Sequence, residues 1–265
     1  MSEFHRFQNE LHIQGELVLE TALHIGAGRT DLFGQANQVV KTYDGLPYIP
    51  GSSLKGTLRS LVERISHLEQ LPRQGSAAPC ISTDELCSQR EHEDRLHDSK
   101  HRRQMLPAEL AAKVAERSCP ICHLFGNTLM AGKVQFFDGS VDPDTWVQQY
   151  DHRNGIQIDR DRLTVSGSLL YEFEAVPAGT AFHISIRALN LSPVEKVWLF
   201  AALELFRQGE VTMGGKAARG LGKVQGRNWT VMERTANNFF ATVLKKEQKP
   251  VPFEEYASSI LAGLA

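Results

Sequence analysis

Four cysteines fall into two pairs whose spacing suits the ligation of a metal ion. Cys119 and Cys122 are separated by two residues, so both sulfurs can reach one tetrahedral ion. Cys80 and Cys87 lie upstream, with a looser gap of six residues, and supply the second pair. The pattern predicts a structural zinc ion held by these four residues, and the alternative is that they are reduced cysteines of the core. Five histidines are reserve ligands: His67, His92, His97, His101 and His123.

A glycine-rich loop runs from Gly214 to Lys223 with the sequence Gly-Gly-Lys-Ala-Ala-Arg-Gly-Leu-Gly-Lys. Consecutive glycines let the backbone approach a ligand closely, and the N–H groups of such a loop can bind phosphate oxygens. The glycine spacing matches neither a Walker motif nor a dinucleotide fingerprint. The segment predicts a phosphate-binding loop, with a tight turn that carries exposed basic residues as the alternative. The candidate residues are Gly214, Gly215, Lys216, Arg219, Gly220 and Lys223.

A third group of candidate residues opens a predicted helix. Ser52 and Ser53 follow a Pro-Gly stop, and apolar residues then recur at helical intervals over 54–68, so either serine is a good N-cap. A helix N-terminus offers N–H groups and a positive dipole end to a phosphate. Lys55 and Arg59 are four residues apart and share one helix face. The alternative is a well-capped helix with ordinary surface cations. The candidate residues are Ser52, Ser53, Lys55, Gly56 and Arg59.

The composition excludes several classes of protein. Of the 265 residues, 42% are hydrophobic and 23% are charged, so the chain is not wholly disordered and can build a core. No apolar run is long enough to cross a membrane, and the polar N-terminus does not resemble a signal peptide. We therefore expect a cytoplasmic protein with no membrane partner. The formal net charge of −2 indicates no global basic field, but a nucleic-acid-binding surface is a local patch and not a total.

The sequence pattern predicts that the strands and helices that position these residues form one α+β domain over residues 1–265. Apolar alternation predicts strands, and a capping box between Ser192 and Glu195, with Pro193 at the first helical position, predicts a second helix. Residues of about 70–122 are predicted to form an insertion. The expected strands lie at 12–19, 39–40, 133–137, 169–176, 182–188 and 221–224, with a hairpin turn at 177–179. Two helices on one face of an antiparallel sheet form an arrangement of the ferredoxin-like kind.

Five segments together resemble the RAMP superfamily, in the family's order, over about residues 10–228. They are Leu-His-Ile-Gly-Ala-Gly at 23–28, Leu-Pro-Tyr-Ile-Pro-Gly-Ser-Ser-Leu-Lys-Gly-Thr-Leu-Arg-Ser at 46–60, Cys-Pro-Ile-Cys-His-Leu-Phe-Gly at 119–126, Ile-Gln-Ile-Asp-Arg at 156–160 and Met-Gly-Gly-Lys-Ala-Ala-Arg-Gly-Leu-Gly at 213–222. Within the superfamily, the sequence is most similar to the crRNA-binding backbone subunit of type III CRISPR effector complexes. The cysteine segment resembles the zinc-bearing subunits of the D and E branches.

The resemblance implies a modified RRM-like core with a zinc-stabilised insertion and a protruding β-hairpin thumb at about residues 139–167. In this family the glycine loops and the first helix grip the backbone of the guide RNA, while the thumb kinks the guide–target duplex. The resemblance adds Gly26, and Arg160 and Arg162 on the thumb, to the RNA-binding residues. The implied partners are crRNA, complementary target RNA and other Cas subunits, including further RAMP subunits.

One position departs from the family. Active backbone subunits are expected to cut target RNA, with Mg²⁺ or Mn²⁺, through the Asp of an Asp-Asn/Ser-x-Val pattern after the first glycine segment. This sequence has Ala36 at the acidic position, followed by Asn37 and Val39. A methyl group cannot activate a 2′-hydroxyl or hold a metal, so we expect no cleavage there. The chain is either a naturally silent subunit or carries an Asp→Ala change, and Asp31 is the fallback carboxylate.

Two other functions remain open at this point. One is a RAMP endoribonuclease that processes precursor guide RNA, which would need His or Lys acid–base residues near the glycine loops. We expect the ten histidines to concentrate in the insertion instead. The other is a non-catalytic, zinc-containing adaptor that contacts only proteins. Bound RNA of uniform length would distinguish the guide-binding function from the adaptor.

Overall fold

One antiparallel sheet of seven strands forms the centre of the protein. The computed structural model describes residues 6–28, 38–72, 79–80, 87, 114–127, 130–158, 165–245 and 249–264. The strands are β1 (Asn9–Leu19), β2 (Tyr48–Ile49), β3 (Val134–Phe136), β4 (Gly139–Val141), β5 (Asp151–Ile158), β6 (Val165–Ala175), β7 (Ala181–Leu189), β8 (Val224–Thr235) and β9 (Val251–Pro252). The helices are α1 (Gly51–Ile65), α2 (Pro120–Phe125), α3 (Pro193–Arg207), α4 (Phe239–Lys245) and α5 (Phe253–Leu261). The mixed content and the antiparallel sheet confirm the predicted α+β class.

The sheet has the order β2-β4-β7-β1-β8-β9, and the short strand β3 also pairs with β7. The two long pairings, β1 with β7 and β1 with β8, make β1 the central strand. Alternate residues of β1, such as Leu11, Ile13 and Leu17, are buried and form a single cluster with residues of α1 and α3. Both helices use apolar spacings of three and four, as in Leu54, Leu58 and Leu61, and they contact each other. The core therefore lies between this sheet face and the helices.

The start of α3 follows the sequence prediction. The Ser192 side chain accepts a hydrogen bond from the Glu195 backbone N–H, and a Glu195 carboxylate oxygen accepts from the Ser192 N–H at 2.7 Å. Pro193 occupies the first helical position. The capping box is confirmed because all of its determinants are local in sequence.

The opposite sheet face is polar. The pairing registers place Gln14, Ser185 and Thr230 side by side on this face, on three adjacent strands. Along the described strands β1, β7 and β8, no Phe, Tyr or Trp side chain alternates onto it, since Phe182 and Trp229 both belong to the buried cluster. This face therefore lacks the Phe and Tyr side chains on which an RRM sheet stacks bases.

The hairpin formed by β5 and β6 is a separate two-stranded sheet. Its register runs from Asp151 opposite Ala175 to Ile158 opposite Val165. The segment of about 139–167, where the thumb is predicted, includes both β4, which pairs with β7 in the main sheet, and part of this hairpin, which extends to Ala175. Arg160 and Arg162 lie outside the described residues.

Two strand predictions were wrong. The turn at 177–179 is present, with Gly179 at a φ of +88°, but it joins two sheets because β6 pairs with β5 while β7 pairs with β1. The strand predicted at 221–224 is β8, which starts at Val224 and continues to Thr235. Gly226 interrupts the apolar pattern of this strand, so no sign in the sequence indicated that the strand continues. Glycine is needed at this position because a β-carbon would lie 2.9 Å from the Trp229 indole.

No described helix is both long and apolar enough to span a bilayer.

Candidate functional site

The N-terminus of α1 is capped by a residue distant in sequence. The helix begins at Gly51, whose N–H donates to a carboxylate oxygen of Asp138 at 2.7 Å. A β-carbon at Gly51 would overlap the carbonyl oxygen of Phe136, so glycine alone fits beside the end of β3. The prediction that Ser52 or Ser53 is the N-cap was wrong, since both lie inside the first helical turn. The first N–H of α1 therefore already donates a hydrogen bond to a carboxylate of the protein itself, that of Asp138.

The exposed side of α1 faces the loop that follows α3. Gly56, Thr57, Ser60 and Arg64 form one wall of an open, mostly polar groove, and the segment 210–214 forms the other. Gly56 and Gly214, which belong to two separate predicted phosphate-binding segments, thus line the same groove. Neither glycine places a side chain there, and Glu210 is the acidic residue of the lining.

The candidate cations differ in their surroundings. Lys55 is exposed on α1. Arg59 instead donates through Nε to Glu63 at 2.8 Å and through Nη1 to the carbonyl oxygen of Gly126 at 3.2 Å. Lys223 lies 2.7 Å from a Glu20 carboxylate oxygen, and that hydrogen bond raises the pKa of Lys223. Lys216 places its Nζ 4.5 Å from the centre of the Phe173 ring.

The loop from Gly214 to Lys223 is held closed at its base. The Met213 N–H donates to the Gly222 carbonyl oxygen at 2.9 Å, and Gly222 has a φ of +85°. Residues Ala217–Arg219 form a single 3-10 turn that leaves Arg219 and Gly220 exposed. The loop is therefore a defined structure that presents its backbone and cations to solvent.

This loop rests on the first glycine segment. The Gly215 N–H donates to the His24 carbonyl oxygen at 2.7 Å. Gly214 has a φ of +78°, and a β-carbon there would lie 2.6 Å from the same oxygen. The two glycine segments consequently form one continuous surface, which includes the exposed Gly26.

His24 is the residue that sequence reasoning missed. Its Nδ1 donates to the Glu174 carbonyl oxygen at 2.7 Å, and its ring meets Phe173 edge-on with centroids 5.6 Å apart. The expectation that the histidines lie away from the glycine loops was wrong for this residue, which contacts Gly214 and Gly215. Its position two residues before Gly26 is the feature of the sequence that could have placed it beside the glycine segments.

Glu174 connects the hairpin to the segment that follows residues 29–37. Its buried carboxylate accepts from the Val39 N–H at 3.3 Å and from Lys41 Nζ at 2.9 Å. Val39 also bridges to Gly26. Ala36 and Asp31 lie outside the described residues. The described segment nearest to them in sequence is thus fixed to both the base of the hairpin and the glycine surface.

The four cysteines come together as predicted. Their sulfurs all lie within 4.8 Å of one another, and all four residues are buried. Cys80 Sγ is 3.4 Å from the sulfurs of both Cys119 and Cys122. A tetrahedral zinc site separates its sulfurs by about 3.8 Å, close to this arrangement.

Hydrogen bonds among the four sulfurs lower the pKa of Cys119 and Cys87 and raise the pKa of Cys80 and Cys122. The Cys119 N–H donates to Cys87 Sγ at 3.4 Å. Hydrogen bonds with Cys122, Cys80 and Cys87 lower the pKa of Cys119 far below that of a free thiol. A metal ion needs deprotonated sulfur ligands. The set therefore fits a soft divalent ion such as zinc.

His123, next to a cysteine of the cluster, has other partners. Its Nδ1 lies 3.1 Å from a carboxylate oxygen of Glu195, and its Nε2 lies 2.9 Å from the Ala115 carbonyl oxygen. Lys133 Nζ donates to both Glu195 oxygens, at 2.9 and 3.0 Å. Burial raises the pKa of Glu195, but the His123 hydrogen bond and the Lys133 charge together hold it below its ordinary value. This buried triad joins α2 and β3 to the start of α3.

Comparison with known proteins yields both a family and named relatives. A family model described as the RAMP superfamily matches residues 16–225. The CRISPR system Cms endoribonuclease Csm3 of Methanocaldococcus jannaschii is 26% identical over 229 residues, 82% of this chain and 78% of that protein.

Two further proteins of the same name match over shorter segments. The Csm3 of Methanothermobacter thermautotrophicus is 40% identical over 78 residues, 28% of this chain and 30% of the relative. The Csm3 of Enterococcus italicus is 39% identical over 69 residues, 25% of this chain and 31% of the relative. These two matches span less than a third of each relative's length.

Proposed function

The chain belongs to the RAMP superfamily, and on this premise we propose that it is a crRNA-binding subunit of a type III CRISPR effector complex. It holds the guide RNA by its phosphates and leaves sequence recognition to pairing between guide and target. Its partners are crRNA, target RNA and other Cas subunits. The names of the relatives support this assignment, because all three are CRISPR system endoribonucleases.

The core that we propose is ferredoxin-like, as in RRM domains. Four of its strands have the spatial order β8-β1-β7-β3, and α1 follows β1 in the chain as α3 follows β7. The absence of Phe, Tyr and Trp from the polar face of β1, β7 and β8 argues against RRM-like base stacking on the sheet. We infer that RNA binds across the glycine segments and α1 instead.

The observation that carries this proposal is the shared groove of Gly56 and Gly214. Backbone N–H groups, hydroxyls and Lys/Arg side chains contact phosphates without reading bases. The groove has the exposed Gly214 on one wall, together with the acidic Glu210, and Ser60 and Arg64 on the other. Lys55 is exposed on the same helix as Ser60 and Arg64. An RNA backbone that follows it also meets the surface of Gly26 and Gly215.

RNA binding by the purified chain tests the proposal. We expect the combined variant Lys55→Ala/Lys216→Ala/Arg219→Ala to bind a guide-length RNA much more weakly, by a similar factor for unrelated sequences. Lys249→Ala is the matched control, because Lys249 is exposed but lies just before the edge strand β9. Equal affinities of the triple variant and the parent would contradict the proposed groove.

We also propose that the four cysteines hold a structural zinc ion, which stabilises the segment of about 70–122. The mutual approach of the four buried sulfurs supports this, since one ion bound to all four would link Cys80 and Cys87 to the start of α2. Zinc would supply cross-linking of the segment and no chemistry on RNA.

Cleavage depends on the loop that contains Ala36. We propose that the chain binds target RNA without cutting it at this loop, and that an Asp at position 36, with Mg²⁺ or Mn²⁺, would supply the missing function. Asp31 is the alternative carboxylate. The proposed thumb is the β5–β6 hairpin, and Arg160 and Arg162, which lie between its two strands in the sequence, are proposed RNA contacts.

One observation favours a second candidate function, the processing of precursor guide RNA. His24 lies against the glycine loop, where an acid–base residue would be needed. If this function is correct, the chain cuts precursor RNA in EDTA and His24→Ala abolishes the cut. Intact precursor under these conditions would exclude it.

A further inference from the structure

We propose that His24 forms a binding site for a ribose 2′-hydroxyl, through which this protein distinguishes RNA from DNA. This inference rests on the proposed RNA binding and deepens it, because the phosphate contacts of the groove are equally available to both nucleic acids. Three features of the structure carry it: the tautomer of the ring, the space beside the ring and the neighbouring charges.

The tautomer of His24 is fixed by its partner. The Glu174 carbonyl oxygen, 2.7 Å from Nδ1, can only accept a hydrogen bond, so Nδ1 carries the proton. In the neutral ring, Nε2 then has a free lone pair and acts as an acceptor. A hydroxyl donates to such an atom, whereas a phosphate oxygen has no proton to give. The site therefore suits a hydroxyl group.

Two glycines leave room beside this edge of the ring. A β-carbon at Gly26 would lie 3.5 Å from Nε2, and one at Gly215 would lie 3.4 Å from Cδ2. Both glycines are exposed, although His24 itself is only 6% exposed. Neither glycine covers this edge of the ring with a side chain. We infer that a group as small as a hydroxyl can approach Nε2 across them.

The surroundings fit a sugar of a nucleic-acid backbone. Lys216 extends from the same loop over Phe173, the ring that also packs edge-on against His24. A backbone with one phosphate near Lys216 would carry its ribose across the glycine surface. The 2′-hydroxyl can donate a hydrogen bond and is the group that DNA lacks.

A scan with modified guides tests the inference on the full chain. Each position of a guide-length RNA is replaced in turn by 2′-deoxy or by 2′-fluoro, which is close in size to a hydroxyl but cannot donate. We expect both replacements to weaken binding by about 3- to 10-fold at the same position, as for the loss of one hydrogen bond. In His24→Phe this position-specific penalty should disappear, while the affinity for unmodified RNA falls by a similar factor.

The control is His183→Phe, since His183 is an exposed histidine on the polar sheet face. It should keep the full 2′-deoxy penalty. The parent protein provides a second measurement that needs no variant: the imidazole ¹⁵N signal of Nε2 should move on addition of the unmodified guide. It should not move with a guide that carries 2′-deoxy at the sensitive position.

The inference is wrong if RNA binds but no position is sensitive, or if His24→Phe retains the penalty. It is also wrong if RNA is cut at the sensitive position, because His24 would then act as a base and not as a positioning acceptor. If no RNA binds at all, the proposed function itself fails, so the two failures are distinguishable.

Discussion

Lys55 and Arg59 lie one helical turn apart on α1, but they should respond differently to replacement by alanine. Lys55 is exposed, so Lys55→Ala should weaken guide binding and lower the slope of log affinity against log salt by about one unit. Arg59 already bonds to Glu63 and to the Gly126 carbonyl oxygen. Arg59→Ala should chiefly lower the melting temperature, because it detaches α1 from the end of α2.

Binding isotherms at several salt concentrations, together with thermal melts of the same samples, separate the two effects. Glu63→Ala is the matched control, since it removes a partner of Arg59 and leaves the cations in place. A full unit lost from the salt slope in Arg59→Ala, without a change in melting temperature, would contradict this assignment.

Asp138 is the second residue whose role can be tested alone. Removing its bond to the Gly51 N–H in Asp138→Ala should cost about 1 kcal/mol of unfolding free energy, as for other helix caps. Asp138→Asn should cost less, because an amide oxygen still accepts. Urea denaturation measures both variants. Equal losses in the two would show that the carboxylate acts by its charge and not as a cap.

The residues that could be predicted from the sequence are those with local signals. Cys119 and Cys122 are two residues apart, and their spacing alone indicated a shared ligand. The cap of α1 could not be predicted, because Asp138 is 87 residues from Gly51. His24 meets Glu174 across 150 residues, so its fixed tautomer is equally invisible in the sequence.

At the scale of elements, the buried triad of His123, Lys133 and Glu195 should contribute to the stability with which α2, β3 and α3 pack together. Glu195→Gln keeps the capping geometry of α3 but removes the charge that faces Lys133. Since an uncompensated buried charge is costly, we expect a loss of about 3–5 kcal/mol in unfolding free energy. The double variant Lys133→Met/Glu195→Gln should regain much of it. A double variant no more stable than Glu195→Gln would contradict the ion pair.

The buried triad of His123, Lys133 and Glu195 also determines how the stability of the fold should change at acidic pH. The pKa of Glu195 is lowered by His123 and Lys133 despite burial, so its ionised form is stabilised in the folded state. That stabilisation is present above the unfolded pKa of about 4.5 and is lost as the pH falls through the lower folded value. The parent should therefore lose more stability than the double variant below about pH 4.5, as measured by urea unfolding.

Elements with continuous periodicity were predictable from sequence and interrupted ones were not. β1, β7, α1 and α3 followed their apolar patterns to within a few residues. β8 was truncated in the prediction because Gly226, which pairs with Leu17, breaks the apolar pattern. Gly15 on the neighbouring strand β1 also makes room for the Trp229 indole. The order of the strands depends on pairings such as β1 with β8, which no local signal encodes.

At the scale of the whole molecule, the cysteine cluster should govern how the described part of the insertion unfolds. Elemental analysis should find about one zinc per chain, released by acid because the thiolate ligands must stay deprotonated. Cys119→Ser should increase hydrogen exchange at 114–127 before it affects β1 or β7. Val114→Ala is the control, since it reduces packing beside the cluster without removing a ligand. A metal-free protein with full protection at 114–127 would contradict a zinc site.

The last prediction concerns the cleavage of target RNA and depends on position 36. Glu174 fixes the segment from Val39 onward to the base of the hairpin, and Val39 bridges to the glycine surface. Position 36 lies three residues before Val39 in the sequence, and in the proposed function a carboxylate there would act on target RNA. An acid–base group of this kind typically contributes about 10²–10⁴-fold to a rate.

We therefore expect the chain to bind target RNA and leave it intact, whereas Ala36→Asp should produce one cut per bound copy, dependent on Mg²⁺ or Mn²⁺. Ala36→Asn is the matched control, because it adds a side chain of the same shape with no carboxylate. Gel analysis of end-labelled target in the assembled complex measures the cuts. If the parent already cuts and Asp31→Ala abolishes the cut, Asp31 is the working carboxylate. If Ala36→Asp binds target and cuts nothing, the proposed catalytic role of this loop is wrong and the chain acts as a scaffold.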